Sequence, residues 1–161
     1  MNSRIDMLIE RLGLEAHPEG GFYREVFRSE ANVHPADGRP IRSALTSIYF
    51  LLPQGTYSRW HRVASDEIWH YYEGDSLELA WISPDFSGIR RLILGPLNDV
   101  SQPVHVVPEG CWQMARPLGS YTLTGCTVGP GFDFADFQLL ADHADDSREL
   151  SQRFPDAAAF L

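Results

Sequence analysis

Gly55-Thr56-Tyr57-Ser58-Arg59-Trp60-His61-Arg62-Val63-Ala64-Ser65-Asp66-Glu67-Ile68-Trp69-His70-Tyr71-Tyr72-Glu73-Gly74 is the stretch whose reading decides the fold. A glycine stands at each end, five residues separate Gly55 from His61, five more separate His61 from Glu67, and six lead to Gly74. Strict alternation puts His61 and Val63 on one face of a first strand, and Glu67, Trp69 and Tyr71 on one face of the next. Ala64-Ser65-Asp66 supplies the hairpin between them. If both faces share one interior, an imidazole and a carboxylate converge beside aromatic walls, which is what a small-molecule site needs. The competing reading is structural: His61 and Glu67 as a satisfied buried pair that only fixes the barrel. His70 alternates to the outer face.

Working outward, Ile5, Leu8, Ile9 and Leu12 recur at helical spacing, which predicts an amphipathic helix over 1–13. Its expected N-cap is Asn2 or Ser3, and Gly13 is its stop. Beyond it, short runs rich in β-branched and aromatic residues are punctuated by Gly, Pro, Asn and Asp. Strands are expected at Phe22–Arg28, Ser43–Leu52, Ser58–Arg62, Glu67–Glu73, Leu77–Ile82, Arg90–Leu94, Val104–Val107, Cys111–Ala115, Tyr121–Val128 and Phe137–Leu140. Many short strands at this spacing make a sandwich or barrel. The acidic tail over 141–161 reads as a surface segment or short helix ending before Pro155. One domain over 1–161 follows, with the barrel over 20–140.

Composition removes several function classes. All thirteen basic residues are Arg, so Schiff-base and phosphate-loop lysines are excluded. With 22 acidic residues the formal net charge is −9 and no basic block exists, which argues against nucleic acid as a partner. No apolar run approaches the roughly 20 residues that span a bilayer, and charges interrupt the N-terminus, so a cytoplasmic protein with no membrane partner is expected. Cys111 and Cys126 read as buried reduced thiols. His17, His34, His105 and His143 lack partners at metal spacing and read as surface or loop histidines.

Two further segments matter. Pro108-Glu109-Gly110-Cys111-Trp112-Gln113 places a glutamine three residues after a turn glycine. In His17-Pro18-Glu19-Gly20-Gly21-Phe22-Tyr23-Arg24-Glu25 the paired glycines read as a turn into an aromatic strand. There Tyr23, Glu25 and Phe27 share one side, and Arg24 or Glu25 reaches toward a pocket mouth.

Together these segments resemble the cupin superfamily, and more narrowly its "cupin 5" branch, over nearly the whole chain from Met7 to Leu140. The resemblance implies an all-β fold: a double-stranded β-helix, or jelly-roll barrel, with a short N-terminal helix and a helical or irregular C-terminal tail. It also implies a homodimer, and similarity in fold to sugar-nucleotide 3,5-epimerases and to germin-like and storage proteins. Cupins often hold a divalent metal through two histidines in the first motif, a glutamate, and a histidine in the second motif. Val63 and Gln113 stand where two of those imidazoles would be. Metal ligation would therefore rest on His61, Glu67 and Gln113, a soft-poor N/O set marginal for redox metals.

Three functions remain open. The favoured one is a barrel binding a small polar or sugar-like metabolite without obligate metal, as an isomerase or epimerase. His61 would be the base, Glu67 or Asp66 its orienting carboxylate, Tyr71 the candidate acid and Arg59 the anion or oxyanion stabiliser. The stretch from Gly55 to His61 loosely resembles the Gly-x-x-Arg-Gly-x-His of deoxysugar epimerases. Trp69, Gln113, Tyr57 and Arg24 are the expected ligand contacts. The alternatives are a weakly metal-dependent enzyme using His61, Glu67 and Gln113, and a non-enzymatic binding or storage barrel.

Overall fold

The computed structural model describes residues 3–161. After α1 (Arg4–Leu12) come β1 (Glu15–Ala16), β2 (Phe22–Arg28), β3 (Asn32–Val33), β4 (Arg42–Ser43), β5 (Thr46–Pro53), β6 (Ser58–Arg62) and β7 (Asp66–Gly74). They are followed by β8 (Leu77–Ile82), β9 (Ile89–Leu94), β10 (Val104–Val107), β11 (Trp112–Pro117), β12 (Tyr121–Gly129), β13 (Gln138–Leu139) and α2 (Ala144–Arg153). The first large sheet runs β1-β2-β5-β12-β7-β10 and the second β13-β6-β11-β8-β9, with β3 and β4 as a separate ribbon. The pairings between named strands are antiparallel. This is the jelly-roll expected from the sequence. Consecutive hairpin partners β6 and β7 lie in opposite sheets, so the two halves of the opening motif face each other across the interior.

Three apolar layers hold the sheets. Phe50, Leu52, Trp69, Leu77, Leu79 and Cys126 fill the space between them. On the outside of the first sheet, Leu8 and Leu14 pack on Leu51 and Leu123. There α1 begins with a capping box, in which Ser3 accepts from the Asp6 amide while the Asp6 carboxylate accepts from the Ser3 amide, and ends at Gly13 with φ 61°. Ser3 is thus the cap; the expected helix start at Met1 and Asn2 lies outside the described residues.

The tail does more than the sequence suggests. Besides α2 it forms a 3₁₀ turn over Pro155–Phe160, and Leu150 and Ala157 are buried against Trp60 and Trp112 on the outside of the second sheet. The Trp60 indole N–H donates to the Ala157 carbonyl at 2.8 Å. Leu150 is the one buried residue of α2, and Ala157, Phe154, Phe160 and Leu161 join it from beyond the helix, so the polar helical sequence gives little sign of this role. Among the described residues no helix is long and apolar enough to cross a membrane.

Of three register shifts in the sheets, two fix which side chains look into the cavity end of the barrel. Gln113 and Ala115 of β11 pair with His61 and Ser58 of β6, so two residues on β11 oppose three on β6. Between Glu25 and Phe27 the β2–β5 register shifts in the same way. A bulge replaces the i, i+2 rule locally with i, i+3. Ser58 therefore shares a face with His61, and Glu25 with Arg28.

Truncating Leu150 to alanine is expected to cost about 2–4 kcal/mol in a urea melt, as for other fully buried leucines. A loss below about 0.5 kcal/mol would show that the tail does not belong to the folded core.

Candidate functional site

A cavity of about 400 Å³ opens at one end of the barrel. Its floor is two rows across the first sheet: Arg28, Thr46, Val128 and Glu67 are successive cross-strand partners, as are Glu25, Ile48 and Cys126. His61 and Val63 come from the second sheet's β6 and its end. His17 and Glu19 enter from the turn before β2, and Phe132 and Phe134 roof the mouth from the loop after β12.

The turn that carries His17 and Glu19 is tied down at several points. Gly20 has φ 110°, and a Cβ there would sit 2.1 Å from the Tyr57 carbonyl oxygen, so only glycine lets the turn press against β6. The Arg59 amide donates to the Glu19 carbonyl at 2.7 Å, and the Glu19 amide to His17 Nδ1 at 3.1 Å. This delivers the Glu19 carboxyl to His61: Glu19 Oε2 lies 3.0 Å from His61 Nε2, and Ser58 Oγ donates to Glu19 Oε1 at 2.9 Å.

The protonation of this pair follows from its partners. His61 Nδ1 is 2.7 Å from the Arg59 carbonyl oxygen, which can only accept, so Nδ1 carries a hydrogen. One more proton must then lie between Nε2 and the Glu19 carboxyl. Burial raises Glu19 to about 8 and lowers His61, the latter offset in part by the Glu67 charge and the Arg59 carbonyl. Both shifts favour a neutral pair, with Glu19 as a carboxylic acid donating to the imidazole. His17 is neutral too: burial and the neighbouring His61 lower it to about 3. Its Nδ1 accepts from Glu19, so its hydrogen sits on Nε2.

Glu67 answers from the opposite sheet. It is 7% exposed, and burial raises it to about 7 despite the His61 charge, with Glu19 adding to the rise. Gln113 Nε2 donates to Glu67 Oε2 at 2.6 Å, and Trp69 Nε1 donates to Gln113 Oε1 at 2.9 Å. Beyond Gln113 its other side-chain hydrogen bond is with the Cys126 thiol, a weak donor, so the carboxyl keeps open acceptor sites toward the cavity.

The structure therefore brings His61, Val63, Glu67 and Glu25 to one cavity, and adds Glu19, His17 and Arg28, with Ser58 behind Glu19. The other expected site residues fall elsewhere. Tyr71 points toward the far end of the interior, where its hydroxyl donates to the Gly74 carbonyl at 2.7 Å. Arg59 contributes only its main chain, because the bulge turns its side chain off the His61 face. The Tyr57 ring packs edge-on to Phe160, and Arg24 donates to the Leu12 carbonyl at the C-terminal end of α1. Trp69 and Gln113 lie behind Glu67 and orient it without lining the cavity. His17 is no surface histidine: its side chain is 6% exposed and packs edge-on to Tyr23. One signal for Glu19 was present in the sequence, a glutamate directly before two glycines. Nothing local told that its side chain would turn inward.

These residues do not fit the divalent metal that the resemblance brings with it. Val63 has no donor, the Gln113 oxygen is occupied by Trp69, and His61 has both nitrogens engaged. Among the described residues no group of three or more His, Cys, Asp and Glu side chains is arranged to hold a metal ion.

A family profile described as "Cupin_5: Cupin superfamily (DUF985)" matches residues 6–140. A crystal structure of a protein from Shewanella oneidensis is 37% identical, with a TM-score of 0.81, over 99% of this chain and 94% of that one. A hypothetical protein from Leishmania major is 32% identical, with a TM-score of 0.83, over 99% and 97%. The oxalate decarboxylase–formate complex from Lactobacillus farciminis shares the fold at a TM-score of 0.58 and 11% identity, over 95% of this chain and 42% of that one. No curated protein matches the chain by sequence.

Stability should carry the imprint of these carboxyls. A carboxyl raised from 4.5 to about 7 or 8 stabilises the fold fully below 4.5 and loses that contribution as pH rises through the raised value. His17, lowered from 6.5 to about 3, acts oppositely: its contribution is complete above 6.5 and is lost as pH falls from there toward 3, so it offsets part of the carboxyls' change between pH 5 and pH 8. Urea melts should thus show a loss on the order of 2 kcal/mol between pH 5 and pH 8, and Glu67→Gln should flatten it. Equal stability at the two pH values in the unaltered protein would refute these assignments.

Proposed function

The chain belongs to the Cupin_5 (DUF985) family of the cupin superfamily, and from that premise we propose that its barrel binds a small polar metabolite and moves a proton on it without a metal, as an isomerase or epimerase does. What supports this reading is one arrangement: two ionisable systems reach a single cavity from opposite sheets, each tuned toward neutrality. Glu67 lies on one wall at about 7, and the Glu19–His61 pair on the other shares one proton.

The roles differ from those expected of the sequence. His61 Nε2 is engaged by Glu19, so Glu67, with open acceptor sites and a value near ordinary operating pH, is the better general base. It would take a proton from carbon next to a carbonyl, and the C–H electron pair would move onto the carbonyl oxygen as an enolate. His17 Nε2–H makes no hydrogen bond among the described residues and is a neutral donor for that oxygen. Glu19 would return a proton to the opposite face, and His61, its Nδ1 fixed by the Arg59 carbonyl, would hold Glu19 in place. Glu67 and Glu19 then exchange protons with solvent to restore the starting state.

The test is deuterium exchange. The protein is incubated in D₂O with a panel of ketoses, aldoses and amino sugars, free and phosphorylated, and deuterium at the carbon beside the carbonyl is followed by mass spectrometry. Incorporation into at least one compound is expected, with Glu67→Gln lowering the rate by about 10²–10⁴. No exchange across the panel, or exchange indifferent to Glu67→Gln, would overturn the reading.

A further inference from the structure

The charges around the cavity are unequal, and they bear on what can enter it. Four carboxyl side chains line it, those of Glu19, Glu25, Glu67 and Asp133, against one guanidinium, that of Arg28. Arg28 is already committed: it pairs with Glu25, and its Nη2 donates to the Phe132 carbonyl at 3.0 Å. The two histidines in the wall are held neutral by their surroundings. Arg59 and Arg24, the other cations expected here, lie outside the lining. An anionic ligand would meet no unpaired positive charge and at least two buried carboxyls.

We propose that the ligand of this cavity carries a cationic nitrogen, an ammonium or guanidinium, seated between Glu67 and Glu19 beneath the aromatic roof. The inference rests on the reading of the cavity as a proton-transfer site and narrows its substrate to amino-carbonyl compounds. Glu67 is nine-tenths buried yet keeps acceptor sites open to the cavity, a demand that a multi-donor cation meets and a neutral ligand meets only in part. Phe132 and Phe134 line the mouth, packed edge to face at 4.9 Å, and an aromatic ring face attracts a desolvated cation. A bound cation also keeps Glu67 ionised, which is the form a general base requires.

Two matched triads separate charge from shape: D-glucosamine, D-glucose and D-glucuronate, and benzylamine, benzyl alcohol and benzoate. Each is titrated at pH 7 by calorimetry and by saturation-transfer NMR. The ammonium member of at least one triad is expected to bind at least about tenfold more tightly than its two partners, as one desolvated charge pair would give. Glu67→Gln, with an unchanged circular-dichroism spectrum, should erase that preference by lowering the ammonium member's affinity more than the neutral member's. Should that variant lose its native spectrum, the preference for benzylamine over benzyl alcohol is compared at pH 5 and pH 8 on the unaltered protein; it is expected to strengthen at least about tenfold at pH 8, where Glu67 is ionised, and no strengthening overturns the inference. An alcohol, sugar or carboxylate binding as tightly as its ammonium partner overturns the inference, as does no binding of either amine. Glu67-dependent deuterium exchange on a neutral ketose would in that case leave the proton-transfer reading standing. Absence of both binding and exchange would remove both.

Discussion

His61 can keep its imidazole inside an apolar barrel only because both ring nitrogens are matched, Nδ1 by the Arg59 carbonyl and Nε2 by the Glu19 carboxyl. An unmatched ring nitrogen at that depth would cost about 1–3 kcal/mol. The requirement reaches far along the chain. Glu19 arrives from 42 positions earlier, so the turn before β2 must lie flat on β6, and Gly20 makes that contact possible. The bulge on β6 must occur where it does, because an even alternation would aim the Arg59 side chain, and not Ser58, at the same space. One buried imidazole thereby fixes the path of two separate segments.

Behind Glu67 a second chain of donors performs the same service. Trp69 gives its indole hydrogen to the Gln113 oxygen, which leaves the Gln113 amide nitrogen no role but to donate to Glu67. The amide can be oriented only one way, since a flipped Gln113 would set donor against donor at Trp69. A histidine there that gave one ring nitrogen to a metal would keep only the other for these two neighbours. The substitution that weakens the metal reading is the one that holds the carboxylate in place.

Much of the fold is legible because it depends on local pattern: the strand boundaries of β2, β6, β8 and β10, the Gly13 stop of α1, and the inward facing of both His61 and Glu67 follow from alternation and turn chemistry. The site's outline was less so, for a physical reason. Alternation is a local rule, and bulges break it without leaving a mark in composition. This is why Arg28 and Ser58 were missed, and why Arg59 was assigned a role that only its main chain fills. Tyr71 failed differently: its face is inward as expected, but the strand is long enough that it reaches the other end of the barrel. Glu19 and His17 depend on a tertiary contact between the turn and β6, and no periodicity reports such a contact. The tail's packing is hard to read because its buried residues, Leu150 and Ala157 with Phe154, Phe160 and Leu161 partly buried beside them, are spread over α2 and the turn after it and form no helical stripe.

The roof over the cavity is held from outside the barrel. Asp136, at the end of the short 3₁₀ turn that carries Phe134, receives a bidentate pair from Arg42 at 2.8 and 2.9 Å and a third bond from Arg39 at 2.9 Å. Neither arginine takes part in the apolar layers. The cavity's roof and the folding core are thus lodged in different parts of the molecule. Among descendants of one ancestor, Phe132, Asp133 and Phe134 can diverge while the Asp136 clasp is retained, and the strands beneath need not change in step.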